Sequence, residues 1–269
     1  MTQDLNYSSP NVRFMRKTKL YLSMLLESGE TWIYILLPII AFLYASVGHG
    51  GASGYLALLA IFGFSTTLMK PTALTLNLFV AAISFYHFWK QGHFRWTLFW
   101  PFALASVPAA FLGGGLELDP LIYKRILGIL LLFAILRMLN IFNPSKDTPN
   151  SLNLWQGIIS GGLIGFFSGL IGIGGGIILS PLILIMGWGK MKEAAAVSAL
   201  FIWINSAAGL AGHISQGASM PDNASIYIGL ALIGGFAGGY VGSKSLENDK
   251  LRYILAFVLV IASLKLIFV

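Results

Sequence analysis

The chain of 269 residues contains no cysteine, and charged residues make up only 10% of it. The absence of cysteine excludes disulfides, thiolate chemistry and cysteine-ligated metal sites. Soluble domains carry about 25% charged residues, so the low charge excludes a water-soluble domain, as do a hydrophobic fraction of 57% and a mean hydropathy of +0.79. What the chain does contain is a series of apolar runs long enough to cross a hydrocarbon core about 30 Å thick. These runs predict a polytopic membrane protein.

Acidic residues are missing from the interior of the apolar runs. The Asp and Glu residues nearest to the runs lie at their edges, at Glu117, Asp119, Glu193, Asp222, Glu247 and Asp249. An intramembrane carboxylate is the usual proton relay of a cation pump, so its absence favours an anion whose charge is met by backbone dipoles. The net charge of +7 comes from Lys and Arg residues that flank apolar runs, which indicates contact with anionic lipid and no nucleic-acid partner.

The apolar runs predict an all-α membrane protein with two homologous four-segment repeats. Residues 1–30 are predicted to lie at the membrane interface as a basic arm. Residues 31–142 then form the first transmembrane repeat, 143–154 a polar linker with two prolines, and 155–269 the second transmembrane repeat. The predicted segments are 33–62, 71–89, 97–115, 121–142, 155–186, 195–212, 224–242 and 251–269.

Two glycine-rich motifs occupy corresponding places in the two repeats. The motif SVGHGG at 46–51 lies in the first segment, and LIGIGGG at 170–176 lies in the fifth. Each interrupts an apolar run of about 30 residues, which is too long for one straight pass of about 20 residues and too short for two. Segments one and five are therefore predicted to be helices broken by glycine. Such breaks at matching places of a duplicated unit are typical of a transporter binding site.

Two geometries fit the glycine breaks. A full pass that unwinds at the glycines gives four crossings per repeat and parallel halves, whereas a re-entrant hairpin gives three crossings and inverted halves. Lys and Arg divide almost evenly between the two sides in either arrangement, so positive charge decides neither the geometry nor the membrane orientation. We favour the hairpin because it places both tips near the midplane, as inverted repeats do. Both geometries predict a polar cavity there, since irregular backbone needs hydrogen-bond partners at that depth.

The glycine breaks are candidate anion sites. Where a helix restarts, its first N–H groups lack intrahelical partners and carry the positive end of the helix dipole. The alternative is that these glycines only permit close helix crossings, but their recurrence favours a site. Plain four-residue spacing assigns Gly161, Gly165 and Gly169, and Gly235 with Gly239, to packing. The residues of the breaks that we predict to bind substrate are His49, Gly50, Gly51, Ser53, Gly174, Gly175 and Gly176.

Polar residues inside segments two and six complete the candidate site. Such residues either bond between helices or face the cavity beside the glycine breaks. The further substrate-binding residues predicted on this basis are Thr75, Asn77, Ser198, Asn205 and Ser206. His49 has Ile173 at the corresponding place, so a proton-binding role for this histidine would belong to one repeat only. No metal site and no cofactor is expected.

Four features of the second repeat carry a family resemblance. They are GFFSGLIGIGGG at 165–176, Pro181, AAVSAL at 195–200 and NSAAG at 205–209. These features, with the paired four-segment repeats, resemble the TauE/SafE family of sulfite and organosulfur anion exporters over about residues 33–269. The first repeat departs from the family pattern. It has His49 inside its glycine motif and KPTA at 70–73 ahead of its second segment.

The resemblance implies a function. It implies secondary transport, by alternating access, of a small anion such as sulfite or an organosulfur anion, with protons as the candidate coupling ion. It also implies an integral protein of the plasma (inner) membrane of a prokaryote, with the lipid bilayer and the anion as its partners and no enzymatic activity. No oligomeric state follows from the sequence.

Two alternatives from other classes stay open. The first alternative is an intramembrane serine protease. The sequence GASG at 51–54 matches the nucleophile motif of rhomboid proteases, with Ser53 as the nucleophile and His213 or His87 as the base. A membrane assembly subunit with no transport of its own is the other alternative.

Overall fold

The structure of the protein, a computed structural model, describes residues 30–138 and 150–244, together with 259–260, 263–264 and 266–268. These residues form helices joined by turns, and none of them lies in a β-strand. The prediction of an all-α protein is confirmed for this part of the chain. The predicted basic arm, most of the linker and most of the last segment lie outside the described residues.

Nine helices have both ends within the described ranges. They are α1 (Glu30–Ser46), α2 (Ala52–Ile61), α3 (Thr66–Lys90), α4 (Trp96–Gly114), α5 (Pro120–Met138), α6 (Leu154–Ile171), α7 (Gly176–Ile185), α8 (Met191–Ser215) and α9 (Ala224–Lys244). Among these nine, α3, α4, α6, α8 and α9 are long and apolar enough to cross a membrane. At about 1.5 Å per residue, the 25 residues of α3 and of α8 reach about 37 Å and exceed the hydrocarbon core.

Left-handed glycines lie in the two short segments that separate α1 from α2 and α6 from α7. Gly48 and Gly51 have φ values of 79° and 98° in the first segment, and Gly172 has a φ of 86° in the second. Glycine adopts these angles without the steric cost that a Cβ imposes. We call residues 47–51 tip one and residues 172–175 tip two. Both tips coincide with the predicted glycine motifs.

Glycines of α6 pack against the backbone of α4. A Cβ added at Gly165 would lie 2.4 Å from the Ser106 carbonyl oxygen, and one at Gly169 would lie 2.0 Å from the Ala110 carbonyl oxygen. Gly161 makes the same kind of contact one turn earlier. Small residues at four-residue spacing let two membrane helices approach this closely. The assignment of these three glycines to packing is confirmed.

α9 has two rows of glycines, and the sequence revealed one of them. Gly235 and Gly239 pack on α3, where an added Cβ at either position would lie 3.0 Å from the nearest side-chain atom. The tighter row contacts the backbone of α1: a Cβ at Gly238 would lie 2.1 Å from the Phe42 carbonyl oxygen. The packing role predicted for the first row is confirmed, and the row that includes Gly238 was missed.

The buried centre of the protein consists of α2, α3, α7 and α8. α3 and α8 are the most buried of the spanning helices, and α2 and α7 are buried along most of their length. α3 runs antiparallel to α8, because Asn77 meets Ser206 near the middle of both helices whereas Phe88 clusters with Ala195 near opposite ends. Along the other two contacts residue numbers rise together, so α6 is parallel to α4 and α9 is parallel to α1.

Candidate functional site

The two tips meet at the same pair of side chains. A Cβ added at Gly50 would lie 2.3 Å from Asn77 Oδ1 and 3.0 Å from Ile202 Cγ2. A Cβ added at Gly174 would lie 2.5 Å from Asn77 Nδ2 and 2.9 Å from Ile202 Cγ2. Asn77 lies near the middle of α3 and Ile202 near the middle of α8. Both tips therefore reach the central level of the two longest helices.

Asn77 is the polar residue that joins the tips. Its side chain is fully buried, and Oδ1 accepts a hydrogen bond from the backbone N–H of Ala52 at 2.9 Å. Nδ2 donates to Ser206 Oγ at 3.2 Å and faces the Ile173 carbonyl oxygen at 3.5 Å. One amide therefore bonds the first residue of α2, the backbone of tip two and a side chain of α8. A buried amide needs such partners, because it cannot hydrogen-bond to bulk water in their place.

His49 crosses from tip one to α7. The residue is 2% exposed, with Nδ1 2.9 Å from the Val47 carbonyl oxygen and Nε2 3.1 Å from the Gly176 carbonyl oxygen. Nε2 also lies 3.3 Å from Ser180 Oγ, which donates to Ser198 Oγ at 2.6 Å. A carbonyl oxygen only accepts hydrogen bonds. Both carbonyl contacts are therefore satisfied together only when both ring nitrogens carry hydrogen.

Unused backbone donors lie where α7 begins. Among the described residues, none accepts a hydrogen bond from the backbone N–H of Gly174, Gly175, Gly176 or Ile177. These residues are buried, and the helix dipole adds partial positive charge at this end. The start of α2 differs because Asn77 already accepts from Ala52. In the described structure Gly50, Gly51, Ser53 and Gly54 lack acceptors on either side of Ala52, whereas the four free donors at the start of α7 form an unbroken run. Such a run is the arrangement that binds anions at helix starts.

Thr75 and Asn205 lie beside this centre and have other partners. Thr75 Oγ1 donates to the Pro71 carbonyl oxygen at 2.8 Å and contacts Met220 Sδ, in the segment ahead of α9, at 3.6 Å. Asn205 Nδ2 donates to the Phe201 carbonyl oxygen at 2.8 Å, while its Oδ1 is buried without a partner in the described structure. Of the predicted polar residues, Asn77, Ser198 and Ser206 join the hydrogen bonds around the tips. Asn205 leaves one acceptor unused.

Ser53 does not form the pair that a serine protease needs. Its Oγ lies 2.7 Å from the Tyr44 hydroxyl. His213 Nε2 donates to the Gly169 carbonyl oxygen at 3.0 Å, and His87 lies near the far end of α3. Within the part of the chain that the structure describes, no histidine hydrogen-bonds Ser53. The observed arrangement therefore does not assemble a Ser–His dyad.

Sequence reasoning did not single out a polar group at the end of α6. There the Tyr123 hydroxyl donates to the Ile171 carbonyl oxygen at 3.0 Å, and His213 donates to Gly169. Lys70 Nζ lies 4.6 Å from the centroid of the Tyr123 ring. The feature of the sequence that could have indicated this group is Lys70, which lies at the edge of an apolar run. Only the packing of α5 against this end shows that its side chain is buried.

A separate cavity lies where α2 ends and α3 begins. Its lining includes Gly63, Met69, Tyr123 and Lys124. None of the predicted substrate-binding residues lines it. The tips are therefore not part of this cavity.

Comparison with known proteins agrees with the resemblance in the sequence. The family described as sulfite exporter TauE/SafE matches residues 33–266. The chain is 38% identical over 233 residues to a probable membrane transporter protein, y4hK, of Sinorhizobium fredii, covering 85% of this chain and 94% of that one. It is 30% identical over 136 residues to a probable membrane transporter protein of Methanocaldococcus jannaschii, covering 49% and 51%. No solved structure matches the chain. The chain is an integral membrane protein that belongs to the TauE/SafE family of membrane transporters.

Proposed function

We propose that the protein is a secondary transporter that moves a small anion, sulfite or an organosulfur anion, across the plasma (inner) membrane of a prokaryote. Transport would proceed by alternating access around the two tips. The observation that carries this proposal is the run of four backbone N–H groups at 174–177 without acceptors in the described structure, at the level of Asn77. Free N–H groups in a site that excludes water can replace the hydration of an oxyanion. Family membership supports transport and leaves the anion to be tested.

We also propose that the two halves are repeats related by a two-fold axis in the membrane plane. Reciprocal packing supports this: α4 packs on α6, its counterpart α9 packs on α1, and α3 packs on its own counterpart α8. Asn77 and Ile202 hold corresponding positions, and each contacts both tips. A two-fold axis that passes between these two side chains would produce this pattern. Inverted repeats of this kind place the substrate at the repeat interface.

The same proposal makes α1 with α2, and α6 with α7, two re-entrant hairpins. A Cβ added at Gly54 would lie 2.5 Å from Ile40 Cγ2, whereas a continuous helix would place these residues about 20 Å apart. In the second half, the Asn150 backbone N–H donates to the Gly187 carbonyl oxygen at 2.6 Å. The chain thus begins α6 close to where it leaves α7. Two hairpins that reach the centre from opposite sides give each side its own tip.

We assign the coupling proton to His49. Its two ring nitrogens face the carbonyl oxygens of Val47 and Gly176, and the imidazolium form bonds both. A proton bound there adds a positive charge beside the free N–H groups of tip two, so the proton and the anion favour each other's binding. His49 also joins tip one to α7. Gain or loss of its proton would therefore change the contact between tip one and α7.

Flux through liposomes that contain the purified protein tests the transport proposal. Sulfite is measured with and without an imposed pH gradient, with thiosulfate, sulfate and a simple sulfonate as comparators. The expected result is saturable flux of at least one of these anions that increases with the gradient. The absence of measurable flux of all four anions would overturn the anion-transport proposal and leave the family membership in place.

Ile177→Pro tests the backbone donors directly. Ile177 lies in the first turn of α7, where proline is tolerated because the N–H has no intrahelical acceptor. The variant removes one of the four donors and is expected to raise KM for the anion about tenfold or more, the value of a hydrogen bond to a charged group. Ile177→Ala loses a similar apolar volume but keeps the N–H. Equal KM values for the two variants would place the anion elsewhere.

His49→Gln tests the coupling proton. Glutamine keeps a hydrogen-bond donor toward α7 but does not titrate near neutral pH. We expect anion flux in this variant to lose its dependence on the pH gradient while saturable exchange of the anion persists. Wild-type acceleration by the gradient in this variant would remove His49 from proton coupling.

A further inference from the structure

Lys70 is a buried cation of a spanning helix that lacks a charged or hydrogen-bonded partner in the described structure. The residue is 7% exposed, and its Nζ lies over the Tyr123 ring at 4.6 Å from the centroid. The charged and titratable groups whose electrostatic effects reach it are Glu117 and His213, neither of which forms an ion pair with it. An unpaired ammonium inside a membrane protein is costly, and such residues usually line substrate or ion pathways.

The carboxyl end of α6 does not supply a hydrogen-bond partner for this lysine among the described residues. Cations are favourable beside the carboxyl end of a helix, and Lys70 packs there. Two carbonyls at that end have other side-chain donors, because Gly169 O accepts from His213 and Ile171 O accepts from Tyr123. The cation–π contact with Tyr123 leaves the three N–H donors of the ammonium unused among the described residues. These donors suit an oxyanion.

The position of Lys70 makes the two sides of the carrier unequal. In the proposed repeat, Lys70 packs on tip two as Ala195 packs on tip one. A Cβ at Gly172 would lie 3.2 Å from Lys70 Cβ, and a Cβ at Gly48 would lie 2.5 Å from Ala195 Cβ. One tip therefore has a cation beside it and the other has a methyl group. An anion that arrives from the Lys70 side meets a positive charge that is missing on the other side.

We propose that Lys70 forms a second oxyanion subsite, which captures the anion on the side of the membrane where α3 begins and α8 ends. Asn77 lies two helical turns further along the same face of α3, about 10 Å away, so the subsite precedes the N–H groups of tip two on the path. The subsite rests on the proposed transport function, since its ligand is the transported anion. It predicts that the affinity for the anion is higher on the Lys70 side than on the other.

The test measures KM for sulfite from each side of oriented liposomes that contain the full chain. The absence of native cysteine allows orientation to be read from one introduced surface cysteine and an impermeant thiol reagent. Lys70→Met is expected to raise KM about tenfold or more from the Lys70 side only. Lys70→Arg is expected to restore it. Lys124→Met removes the same charge from the neighbouring α5 residue on the same side, and KM is expected to stay at the wild-type value.

Equal KM changes from both sides in Lys70→Met, or an equal change in Lys124→Met, would overturn the subsite. A fall in the thermal stability of Lys70→Met that Lys70→Arg repairs, with KM unchanged, would assign Lys70 to structure alone. Binding of labelled sulfite to the detergent-solubilised protein separates the two proposals, because it does not require flux. Binding that Lys70→Met abolishes, in a protein without flux, would keep the subsite and remove the transport function. Flux that Lys70→Met leaves unchanged would keep the transport function and remove the subsite.

Discussion

Replacing Asn77 by leucine is expected to abolish anion flux and to lower the free energy of unfolding by about 3 kcal/mol or more, since buried polar partners lose their bonds. The Ala52 N–H, Ser206 Oγ and the Ile173 carbonyl oxygen all face this side chain. In the bilayer no water replaces the lost partners. Flux at matched protein levels and thermal unfolding in detergent check the two effects.

Asn77→Asp separates the role of this residue in folding from its role in transport. Aspartate keeps the oxygen that accepts from Ala52, and Ser206 can rotate its hydroxyl to donate to the other oxygen. The carboxylate loses only the 3.5 Å contact with the Ile173 carbonyl oxygen, which is the longest of the three. The variant is therefore expected to fold. It places a carboxylate between the tips, where the proposed site binds an anion, so flux is expected to be lost while the folded protein persists.

Ser84→Ala is the matched control for Asn77. Ser84 is a buried polar residue of the same helix, and its Oγ donates to the Ala45 carbonyl oxygen of α1 at 3.1 Å, away from the contact between the tips. Its loss is expected to cost about 1 kcal/mol of stability and to leave flux unchanged. Wild-type anion flux in Asn77→Asp would show that the anion does not pass between the tips.

Alanine substitutions of the tip glycines do not separate loss of an anion site from displacement of Asn77. The sequence indicates that glycine permits close approach of a ligand, so loss of flux in Gly50→Ala or Gly174→Ala would be attributed to a blocked site. The structure shows that an added Cβ would meet the Asn77 side chain at 2.3 Å or 2.5 Å. Either alanine would therefore displace Asn77 whether or not an anion binds. The Asn77 and Ile177 variants avoid this ambiguity.

The sequence was sufficient for the features that depend on local pattern. Long apolar runs predicted the helices, and α1 and α6 end where the two glycine motifs lie. The sequence also indicated that Asn77 has hydrogen-bond partners, because an amide inside an apolar run needs them; its contact with substrate stays a prediction. What its partners are depends on helices far apart in the chain. Ile173 and Ser206 reach it only after both halves have packed together.

The sequence was insufficient where an apolar helix has no polar side to orient it. α9 is apolar all round, so nothing in its pattern shows which glycine row faces α1 and which faces α3. Lys70 is a similar case, because a lysine one turn inside a membrane helix usually extends to the interface. Its burial depends on Tyr123 of α5, which is distant in the sequence.

Gly238→Ala is expected to prevent accumulation of folded protein, and Gly165→Ala to have a similar effect. In both cases the new Cβ would meet a backbone carbonyl oxygen, of Phe42 at 2.1 Å or of Ser106 at 2.4 Å. A backbone atom cannot rotate away as a side chain can, so the two helices must separate. Overpacking of this kind costs about 3 kcal/mol, and separation also weakens the contacts along both helices. Yield and thermal unfolding in detergent measure the effect.

Gly229→Ala is the control that isolates the close contact from the substitution itself. Gly229 lies in the same helix as Gly238, and a Cβ there would meet nothing within 4 Å. Alanine favours a helix over glycine by about 1 kcal/mol, so this variant is expected to equal or exceed the wild type in stability. Normal folding of Gly238→Ala and Gly165→Ala would mean that neither contact holds the helices at the observed distance. Because the two contacts join the first half of the chain to the second, the reciprocal packing that supports the proposed inverted repeat would then lose its basis.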